Sequence, residues 1–437
     1  MRVTILGTGE ELLYGRTVDT NGAFIARHLG LNGFRVLRHV VIGDSPRALE
    51  QELARAGADS DLIVMSGGLG PTADDRTRGA VARAAGAELV EDAATRRHVE
   101  DRLRSFGREA SPAHLTQALF PVGSVIFANP RGTAAGFACR IGGAWLAAMP
   151  GVPDEMLPMF EESVLPFLLQ KLAPAGHAAV ETVHLFPVSE SEVDERILDM
   201  SAEDRNPYVG ITVSDAVITV SMRALAPSPE EAAELVRRDV EVLRQRFGEL
   251  IFGSGGVSLA QALSAELERT GATIGVAESL TGGLVGKLLV DVPGISRFFL
   301  GGVIAYGDDV KVAQLGVPAA QLREHGAVSP QVAESMARGI CAALGADLGL
   351  STTGVAGPTG GTPQKPVGLV YVGVCLKGRA AVHRLEMRGD RARIRDRSAK
   401  YALNMARLAL LRGVEALAAA PAAVRPSGHR KDEVSHA

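Results

Sequence analysis

Short apolar runs alternate with amphipathic helical patterns over the first part of the chain, and this alternation restricts the folds open to it. The runs predicted as strands are Val3–Leu6, Val36–Ile42 and Asp61–Met65. Helical spacing of apolar residues separates them at Asn21–Leu31 and Pro46–Ala56. Strands that alternate with helices in this way predict a mostly parallel, doubly wound sheet. In such sheets, ligands bind at the carboxyl ends of the strands.

The chain divides into three segments by the kind of pattern that each carries. Residues 1–172 carry the α/β pattern, and residues 257–418 return to it. Between them, residues 178–252 combine alternating strands with helical patterns and predict a small α+β domain. Gly253–Gly256 has the composition of a flexible linker, and residues 419–437 that of a disordered tail. The predicted fold class is therefore α/β, with two doubly wound, mostly parallel-sheet domains joined by a small α+β domain.

Composition predicts a cytoplasmic, multidomain protein. At 437 residues the chain is too long for one ordinary core, and its net charge of −4 argues against a dominant binder of nucleic-acid phosphates. No apolar run reaches the length of about 18 residues that a membrane span requires. The opening MRVTILGTG predicts a strand and a loop rather than a signal peptide. The three cysteines, Cys139, Cys341 and Cys375, are widely spaced and are predicted as reduced core thiols.

A glycine-rich turn in the last segment places a hydroxyl group between a strand and a helix. Residues 277–287 are AESLTGGLVGK, so Ser279 ends an apolar run and Gly282 and Gly283 open a helical pattern. A hydroxyl in this position suits nucleophilic attack, and nearby N–H groups suit an oxyanion or a phosphate. Tyr306 and Lys311, in AYGDDVK, supply a candidate proton acceptor. The plainer interpretation is a turn whose glycines only permit close packing.

A denser motif, SGGLGPTADDRT at residues 66–77, follows the third predicted strand. Its glycines permit the close approach that a pyrophosphate requires, and its carboxylates suit a hard divalent cation. The candidate ligand-binding residues are Gly67, Gly68, Gly70 and Thr72, and the candidate metal ligands are Asp74 and Asp75. The alternative is that one aspartate only caps the helix that begins near Arg76.

Two further loops could converge on the same end of this sheet. The sequence GTGEELL at residues 7–13 adds Glu10 as a third candidate metal ligand. The sequence NPRGTAAG at residues 129–136 adds Thr133 as a candidate substrate contact. The alternatives are that Glu10 is a surface carboxylate and that Thr133 is only a turn residue.

Motifs distributed from the first strand to about Arg412 resemble those of the CinA family of bacterial competence- and damage-inducible proteins. They are Thr20-Asn21, GGLGPTADD, NPRGTA, ESLTGG, GAVS and TGVAGPTGGTPQKPVG. The resemblance implies a molybdopterin-binding-like first domain, a KH-like middle domain and a nicotinamide-nucleotide amidase-like last domain. It implies two activities: deamidation of nicotinamide mononucleotide to nicotinate mononucleotide and ammonia, and metal-dependent hydrolysis of ADP-ribose at its pyrophosphate.

The resemblance also assigns roles at matching positions of the last domain. The implied catalytic residues are Ser279 as nucleophile, Lys311 as its general base, Tyr306 as an orienting or proton-relaying residue, and Thr281, whose N–H group faces an oxyanion together with those of Gly282 and Gly283. A free lysine has a pKa of about 10.4, so general-base work requires burial or a neighbouring cation such as Arg391. Lys287 ranks second as a base because it lies about two helical turns from the serine.

Substrate contacts are expected at both glycine loops and on the closing helix. In the last domain they are Gly282, Gly283, Thr353, Gly354, Gly357, Arg391 and Arg395, and in the first domain Asn21, Gly67, Gly68, Gly70, Thr72 and Thr133. Arg391 and Arg395 share a helix face through their i,i+4 spacing, which suits a phosphate. The plainer interpretation is that these arginines form a solvated helix face.

Two positions depart from the family pattern. Leu280 stands where the family motif has cysteine, so a serine must be the nucleophile. Tyr306-Gly307-Asp308 stands where the motif reads tyrosine, serine or threonine, and asparagine. The middle segment also lacks a clear GxxG clamp, so nucleic-acid binding is not expected there.

These patterns lead to a set of expected cofactors and partners. We expect a divalent metal (Mg, Mn or Co) in the first domain, no cofactor for the amidase, and nucleotides as small-molecule partners. We expect a homodimer because the helix at Ile394–Leu411 is apolar over more than one face. The alternative function is a non-catalytic pterin- or nucleotide-binding scaffold that acts with competence and recombination proteins.

Overall fold

The computed structural model describes residues 1–172, 174, 176–202 and 204–418. It divides into two compact units: residues 1–179 with residues 224–234, and residues 180–223 with the chain from Leu235 onward. The predicted disordered tail at 419–437 lies outside the described residues.

The first unit is built on a six-stranded sheet. The strands of this sheet are β1 (Arg2–Thr8), β2 (Arg35–Ile42), β3 (Leu62–Ser66), β6 (Val125–Phe127), β7 (Gly136–Ile141) and β8 (Ala144–Met149). Two further strands, β4 (Leu89–Glu91) and β5 (Leu119–Pro121), form a separate two-stranded sheet. The order in the large sheet is β2-β1-β3-β8-β7-β6. The pairs β1–β2, β1–β3 and β3–β8 are parallel, whereas β7 pairs antiparallel with β6 and β8. This sheet is therefore mostly parallel, as predicted.

Helices cover both faces of this sheet. They are α1 (Glu10–Leu13), α2 (Thr20–Leu31), α3 (Pro46–Asp59), α4 (Thr77–Ala85), α5 (Ala93–Ser105), α6 (Pro112–Leu115), α7 (Pro153–Met159) and α8 (Leu165–Leu172). Neighbouring residues of β1 belong to two different hydrophobic cores. Leu6 lies in the core that contains residues of α3 and α4, and Ile5 lies in the core that contains residues of α2 and α7. The doubly wound arrangement follows from this two-sided burial, because successive strand residues point to opposite faces.

The predicted small α+β segment lies mostly in the second unit. Its elements are β9 (His177–Leu185), α9 (Glu190–Arg196), β10 (Tyr208–Ser214), β11 (Val217–Ala226), α10 (Pro229–Phe247) and β12 (Ile251–Ser254). The four strands form one sheet in the order β10-β11-β9-β12. The prediction that Gly253–Gly256 is a flexible linker is wrong, because most of this segment forms backbone hydrogen bonds with β9. Gly253 and Ser254 pair with β9, and Gly255 N–H donates to the Thr182 carbonyl at 3.1 Å, so backbone hydrogen bonds overrule composition here.

Residues 257–418 form a five-stranded sheet with helices on both faces. The strands are β13 (Ile274–Glu278), β14 (Phe299–Ile304), β15 (Leu348–Gly354), β16 (Leu369–Leu376) and β17 (Arg379–Glu386), and the helices are α11 (Leu259–Thr270), α12 (Leu284–Val290), α13 (Asp308–Leu315), α14 (Ala319–His325), α15 (Pro330–Leu344), α16 (Arg391–Arg412) and α17 (Val414–Ala418). The strand order is β14-β13-β15-β16-β17.

This second α/β sheet is more evenly mixed than the mostly parallel sheet that the alternation predicted. The strands β14, β13 and β15 are parallel, but β15–β16 and β16–β17 are antiparallel. The reason is connectivity, since no helix lies between β15 and β17. Antiparallel strands need only a short connection, whereas parallel ones need a crossover.

The closing helix α16 is buried inside its own unit. Ile394, Leu403 and Met405 belong to the core that also contains β13, β15 and α11. Its apolar surface is thus used within the chain and no longer argues for a homodimer, which stays a prediction. Among the described residues, no helix combines the length and apolar character needed to cross a membrane.

Candidate active site

Ser279 lies at the carboxyl edge of the parallel strands in the second unit. It follows β13 directly, and Glu278 before it is in register with Ile304 of β14 and Thr352 of β15. Ser279 N–H donates to the Thr352 carbonyl at 3.0 Å, and the side chain is half-buried. The residues that follow β14 and β15 therefore lie on either side of Ser279.

Glu278, which sequence reasoning missed, organises the turn after Ser279. Its buried carboxylate accepts N–H groups from Gly283 at 2.9 Å, Val285 at 3.1 Å and Gly286 at 2.8 Å. A carboxylate at this position satisfies the orphan donors at the start of α12 and is favoured by the helix dipole. The Gly283 N–H, predicted for an oxyanion, is therefore already used. A glutamate immediately before a strand-to-helix turn was the available signal.

Two other N–H groups in the turn have no acceptor in the described structure, although both residues are buried, with exposures of 4% for Leu280 and 0% for Thr281. Gly282 N–H donates to the Ser279 carbonyl at 3.2 Å, so it is engaged within the turn. The N–H groups of Leu280 and Thr281 have no hydrogen-bond acceptor among the described residues. These two, rather than those of Gly282 and Gly283, are the oxyanion candidates beside Ser279. The left-handed φ of 60° and 93° at Gly282 and Gly283 still explains why glycine stands at both positions.

Lys311 is buried beside the residues that follow β14. Its side chain is 1% exposed, and Nζ donates to the Tyr306 carbonyl at 3.2 Å and to Asp308 Oδ1 at 3.3 Å. The backbone of Tyr306, rather than its hydroxyl, orients the lysine. No hydrogen bond joins Lys311 to Ser279 among the described residues.

The two arginines of α16 have different partners although they share a helix face. Arg391 is exposed and donates to the Gly357 carbonyl at 2.9 Å and to the Tyr306 hydroxyl at 3.1 Å. Arg395 is half-buried and donates to the carbonyls of Leu280 at 3.2 Å and Thr281 at 2.7 Å. We therefore assign Arg395 to holding the turn, whereas Arg391 borders the open side of the site.

Threonines of β15 attach neighbouring loops to the turn. Thr281 Oγ1 lies 2.7 Å from Thr352 Oγ1, and both side chains are buried. Thr353, also buried, donates to the Ala327 carbonyl at 2.8 Å. Gly354 leaves no room for a side chain, because a Cβ there would lie 2.6 Å from the Leu369 carbonyl. Gly357, at φ 73°, shapes the loop whose carbonyl Arg391 contacts.

The side chains of Leu280 and Lys287 both have contacts away from the candidate site. Leu280 is 4% exposed and packs in the main core of the second unit. Lys287 is exposed and forms an ion pair with Asp291 at 2.6 Å. The ranking of Lys311 above Lys287 as the base stays a prediction.

In the first unit, the glycine loop after β3 borders a group of buried polar atoms. A Cβ on Gly67 would lie 2.6 Å from Thr8 Oγ1, and Gly67 N–H donates to the Met149 carbonyl. Asn21 donates to Ser66 Oγ at 3.0 Å and to the Gly151 carbonyl at 2.8 Å. Thr8 Oγ1 and Asn21 Oδ1 are buried without a hydrogen-bond partner in the described structure. Thr8 was missed because a strand-end threonine carries no pattern of its own.

The rest of this loop is held by its own side chains. Asp75 Oδ2 accepts from Thr72 N–H at 2.9 Å and from Thr72 Oγ1 at 2.6 Å, and it faces Gly70. Asp75 therefore closes the loop and does not cap α4, which begins at Thr77 without a side-chain cap. Asp74 is exposed at the loop surface. Hydrogen bonding from Thr72 holds the pKa of the Asp74 carboxyl below its usual range.

A buried arginine, Arg78, supports the loop from behind. Its Nη2 donates to the Leu69 carbonyl at 2.7 Å, and its guanidinium lies over the Phe120 ring. Burial lowers the pKa of Arg78 to about 10, and the charge of Asp75 opposes this shift. Thr133 is half-buried in a neighbouring loop that Asn129 closes through N–H groups of Arg131 and Gly132.

Carboxylates gather near Glu10. Glu10 and Asp44 exchange backbone-to-carboxylate hydrogen bonds of 3.3 Å. Burial raises the pKa of the Asp44 carboxyl, and the charges of Asp74, Glu10 and Glu11 raise it further. This crowding of acidic groups fits a hard cation held by one or two carboxylates and by phosphate oxygens of a substrate. The described residues contain no group of three or more side chains that could hold a metal ion by themselves.

Comparison with known proteins covers the three segments separately. Residues 4–170 match the family model described as "Probable molybdopterin binding domain", residues 181–253 match "Damage-inducible protein CinA KH domain", and residues 257–410 match "CinA C-terminal domain". A CinA-like protein of Dictyoglomus thermophilum is 38% identical over 94% of this chain and 100% of its own. A CinA-like protein of Geobacter sulfurreducens is 39% identical over the same shares. The crystal structure of competence/damage inducible protein CihA from Agrobacterium tumefaciens has 35% identity and a TM-score of 0.34, covering 35% of this chain and 94% of that one.

Proposed function

Because the chain belongs to the CinA family, with a molybdopterin-binding-like first domain and a KH-like middle domain, we propose that it hydrolyses the amide of nicotinamide mononucleotide in its last α/β domain. The observation that carries the proposal is the position of Ser279. It lies at the carboxyl edge of the parallel strands, between two N–H groups that have no acceptor in the described structure and the segment that holds buried Lys311.

In the proposed reaction, Ser279 Oγ attacks the amide carbon while the amine of Lys311 accepts the hydroxyl proton. The developing oxyanion receives the N–H groups of Leu280 and Thr281. Collapse of the tetrahedral intermediate breaks the carbon–nitrogen bond, and the proton held by Lys311 passes to the leaving ammonia. Water then hydrolyses the ester on Ser279 to release nicotinate mononucleotide.

The surrounding contacts support this division of roles. Glu278 and Arg395 hold the turn from two sides, through its N–H groups and its carbonyls respectively. Arg391 borders the open side and links the Gly357 loop to Tyr306, where an anionic 5′-phosphate would meet a guanidinium. Since Glu278 fills the start of α12, the phosphate has to bind elsewhere, and Arg391 is the proposed contact.

The test is ammonia release from nicotinamide mononucleotide by the purified chain. We expect activity in the wild-type protein and its loss in Ser279→Ala. Ser296→Ala, which alters an exposed serine of the same unit, serves as the matched control and retains activity. Full ammonia release by folded Ser279→Ala would refute the serine mechanism. No release by the wild-type chain would refute the activity and favour the scaffold alternative.

A second proposed activity, hydrolysis of ADP-ribose to AMP and ribose phosphate, rests on the first unit. Thr8 Oγ1 and Asn21 Oδ1 are unpartnered beside the glycine loop, and the carboxylates around Asp44 lie at the same edge. Asp74 and one of its neighbours Glu10 and Asp44, together with phosphate oxygens of the substrate, would hold a divalent cation, which when bound neutralises charge on the pyrophosphate. The glycine loop receives the phosphates through its backbone N–H groups.

AMP release from ADP-ribose with Mg²⁺ tests this second activity. Asp74→Asn is expected to lower the rate, whereas Asp101→Asn, which alters an exposed aspartate on α5, leaves it unchanged. If Asp74→Asn lowered ammonia release from nicotinamide mononucleotide as much as AMP release from ADP-ribose, the proposal of two separate sites would be contradicted.

A further inference from the structure

Two cysteines of the second unit face each other across the contact between α15 and the sheet. Cys341 Sγ lies 3.7 Å from the carbonyl oxygen of Cys375. Cys341 is half-buried, and Cys375 is 2% exposed. This cluster lies at the opposite edge of the sheet from Ser279, because Cys375 pairs with Gly349 near the start of β15. The proposed amidase mechanism uses neither residue.

Glycines bring the backbone of α15 unusually near these strands. A Cβ on Gly349 would overlap the Ala337 carbonyl of α15 and lie 2.6 Å from Cys341 Sγ. A Cβ on Gly373 would lie 2.7 Å from the Ala333 carbonyl. A helix usually rests on a sheet through intervening side chains, and here two of those side chains are absent. The close approach places Cys341 within reach of the strand below it.

Strand alternation then directs the second sulfur toward the first. Gly373 faces α15, and Cys375, two residues further along β16, points to the same side. Val372 and Val374 point to the other side and belong to the core beneath α16. The two thiols therefore share one small space between α15 and β16.

The surroundings of Cys375 favour its thiolate. The nearby Cys341 thiol holds the pKa of Cys375 below its usual range, against the effect of burial, and Arg338 and the Gly378 N–H act in the same direction. The same pairing raises the pKa of Cys341. Cys341 is half-buried, so this pair is not sealed from solvent as a fully buried thiol is. By contrast, burial raises the pKa of Cys139 to about 12.

We propose that Cys341 and Cys375 form an oxidation site that a hydroperoxide converts to an intramolecular disulfide joining α15 to β16. The Cys375 thiolate attacks a peroxide oxygen, which forms a sulfur–oxygen bond, breaks the oxygen–oxygen bond and releases an alcohol or water after protonation. Cys341 then attacks the resulting sulfenic sulfur, the disulfide bond forms, and water leaves with the Cys341 proton. Each sulfur loses one electron, and the two peroxide oxygens gain the pair.

The experiment treats the full chain with hydrogen peroxide under native conditions and maps its thiols by alkylation and mass spectrometry. We expect a chain lighter by two hydrogen atoms, a linked peptide pair containing Cys341 and Cys375, and a free Cys139. Reduction with dithiothreitol restores three alkylatable thiols. Separate oxidation of the two cysteines without a linked peptide, or thiols that stay free, would overturn the proposal.

Two variants distinguish the order of the steps. Cys341→Ser leaves Cys375 without a resolving partner, so dimedone should trap a sulfenic acid at Cys375. Cys139→Ser is the matched control, in which the linked pair still forms. If Cys341→Ser does not fold, the wild-type peptide map still decides the proposal. A linked peptide between two chains rather than within one would also count against it.

Discussion

The Nζ atom of Lys311 lies 3.3 Å from Oδ1 of Asp308, and the lysine is buried while the aspartate is mostly exposed. Asp308 stands where the family motif has asparagine, so the departure noticed in the sequence gives Lys311 a charged partner. An asparagine oxygen could accept the same hydrogen bond. The substitution therefore preserves the orientation of Lys311 although it changes the charge beside it.

Lys311→Met should lower ammonia release from nicotinamide mononucleotide by about 100-fold or more, because the proposed general base is removed. Lys287→Met is the matched control and should leave the rate unchanged, since Lys287 is exposed and paired with Asp291. Asp308→Asn should retain most of the activity. Steady-state kinetics of the three variants makes the comparison, and a larger loss in Lys287→Met would reverse the assignment.

Removing the charge of Glu278 should loosen the turn that carries Ser279. In Glu278→Gln, the amide nitrogen would face backbone N–H groups that now donate to a carboxylate oxygen. We expect a loss of about 2 kcal/mol in the free energy of unfolding, measured with urea, because a buried donor loses its acceptor. The rate constant kcat should fall more than KM rises. An unchanged unfolding midpoint would contradict the capping role.

Substitution of Arg391 should affect substrate binding, whereas substitution of Arg395 should affect the stability of the fold. Arg391→Ala should raise KM for nicotinamide mononucleotide about tenfold or more, because a charge-assisted contact to phosphate is lost. Arg395→Ala should instead lower the melting temperature, because it holds the Leu280 and Thr281 carbonyls. Arg393→Ala, in an exposed position on the same helix, is the control for both. Identical effects of the Arg391 and Arg395 substitutions would contradict their separation.

Leu280→Cys restores the residue of the family motif but should bring no gain in rate. Leu280 is buried in the main core, so the smaller side chain leaves a cavity and costs about 2 kcal/mol of stability. The measurement is kcat per folded molecule together with a urea unfolding curve. A marked rise in kcat would show that the thiol takes part in the reaction.

The raised pKa of Asp44 predicts a pH-dependent effect of Asp44→Asn. A carboxyl group whose folded pKa lies above its unfolded value of 3.8 favours the folded state at low pH, and this contribution is lost as pH rises through the folded pKa. Relative to the wild type, the variant should therefore be more stable at pH 7 than at pH 3.5. Urea unfolding at both values tests the sign. A Mg²⁺-induced rise in melting temperature should also shrink in the variant.

Local sequence patterns were sufficient for much of the architecture. Apolar spacing predicted helices at Asn21–Leu31 and Pro46–Ala56, and the structure has them as α2 (Thr20–Leu31) and α3 (Pro46–Asp59). The alternation of strands and helices also predicted the mostly parallel sheet of the first unit. These features depend on residues close together in sequence, where backbone preferences and apolar spacing act directly.

Other features depended on contacts between distant residues. The antiparallel strand β17, the ordered Gly253–Gly256 segment and the partners of Arg391 and Arg395 follow from pairing and packing that local patterns do not encode. The contacts of Glu278 with N–H groups after Ser279 also depend on the folded turn. Cys341 and Cys375 lie near each other because Gly349 and Gly373 allow the backbone of α15 to approach β15 and β16 closely. Sequence alone determined which residue types were available at each strand end. Only the tertiary structure decided which of their polar atoms have a hydrogen-bond partner within the chain and which have none. The physical reason is that a buried donor or acceptor bonds to groups that folding brings near it, and these are often distant in sequence.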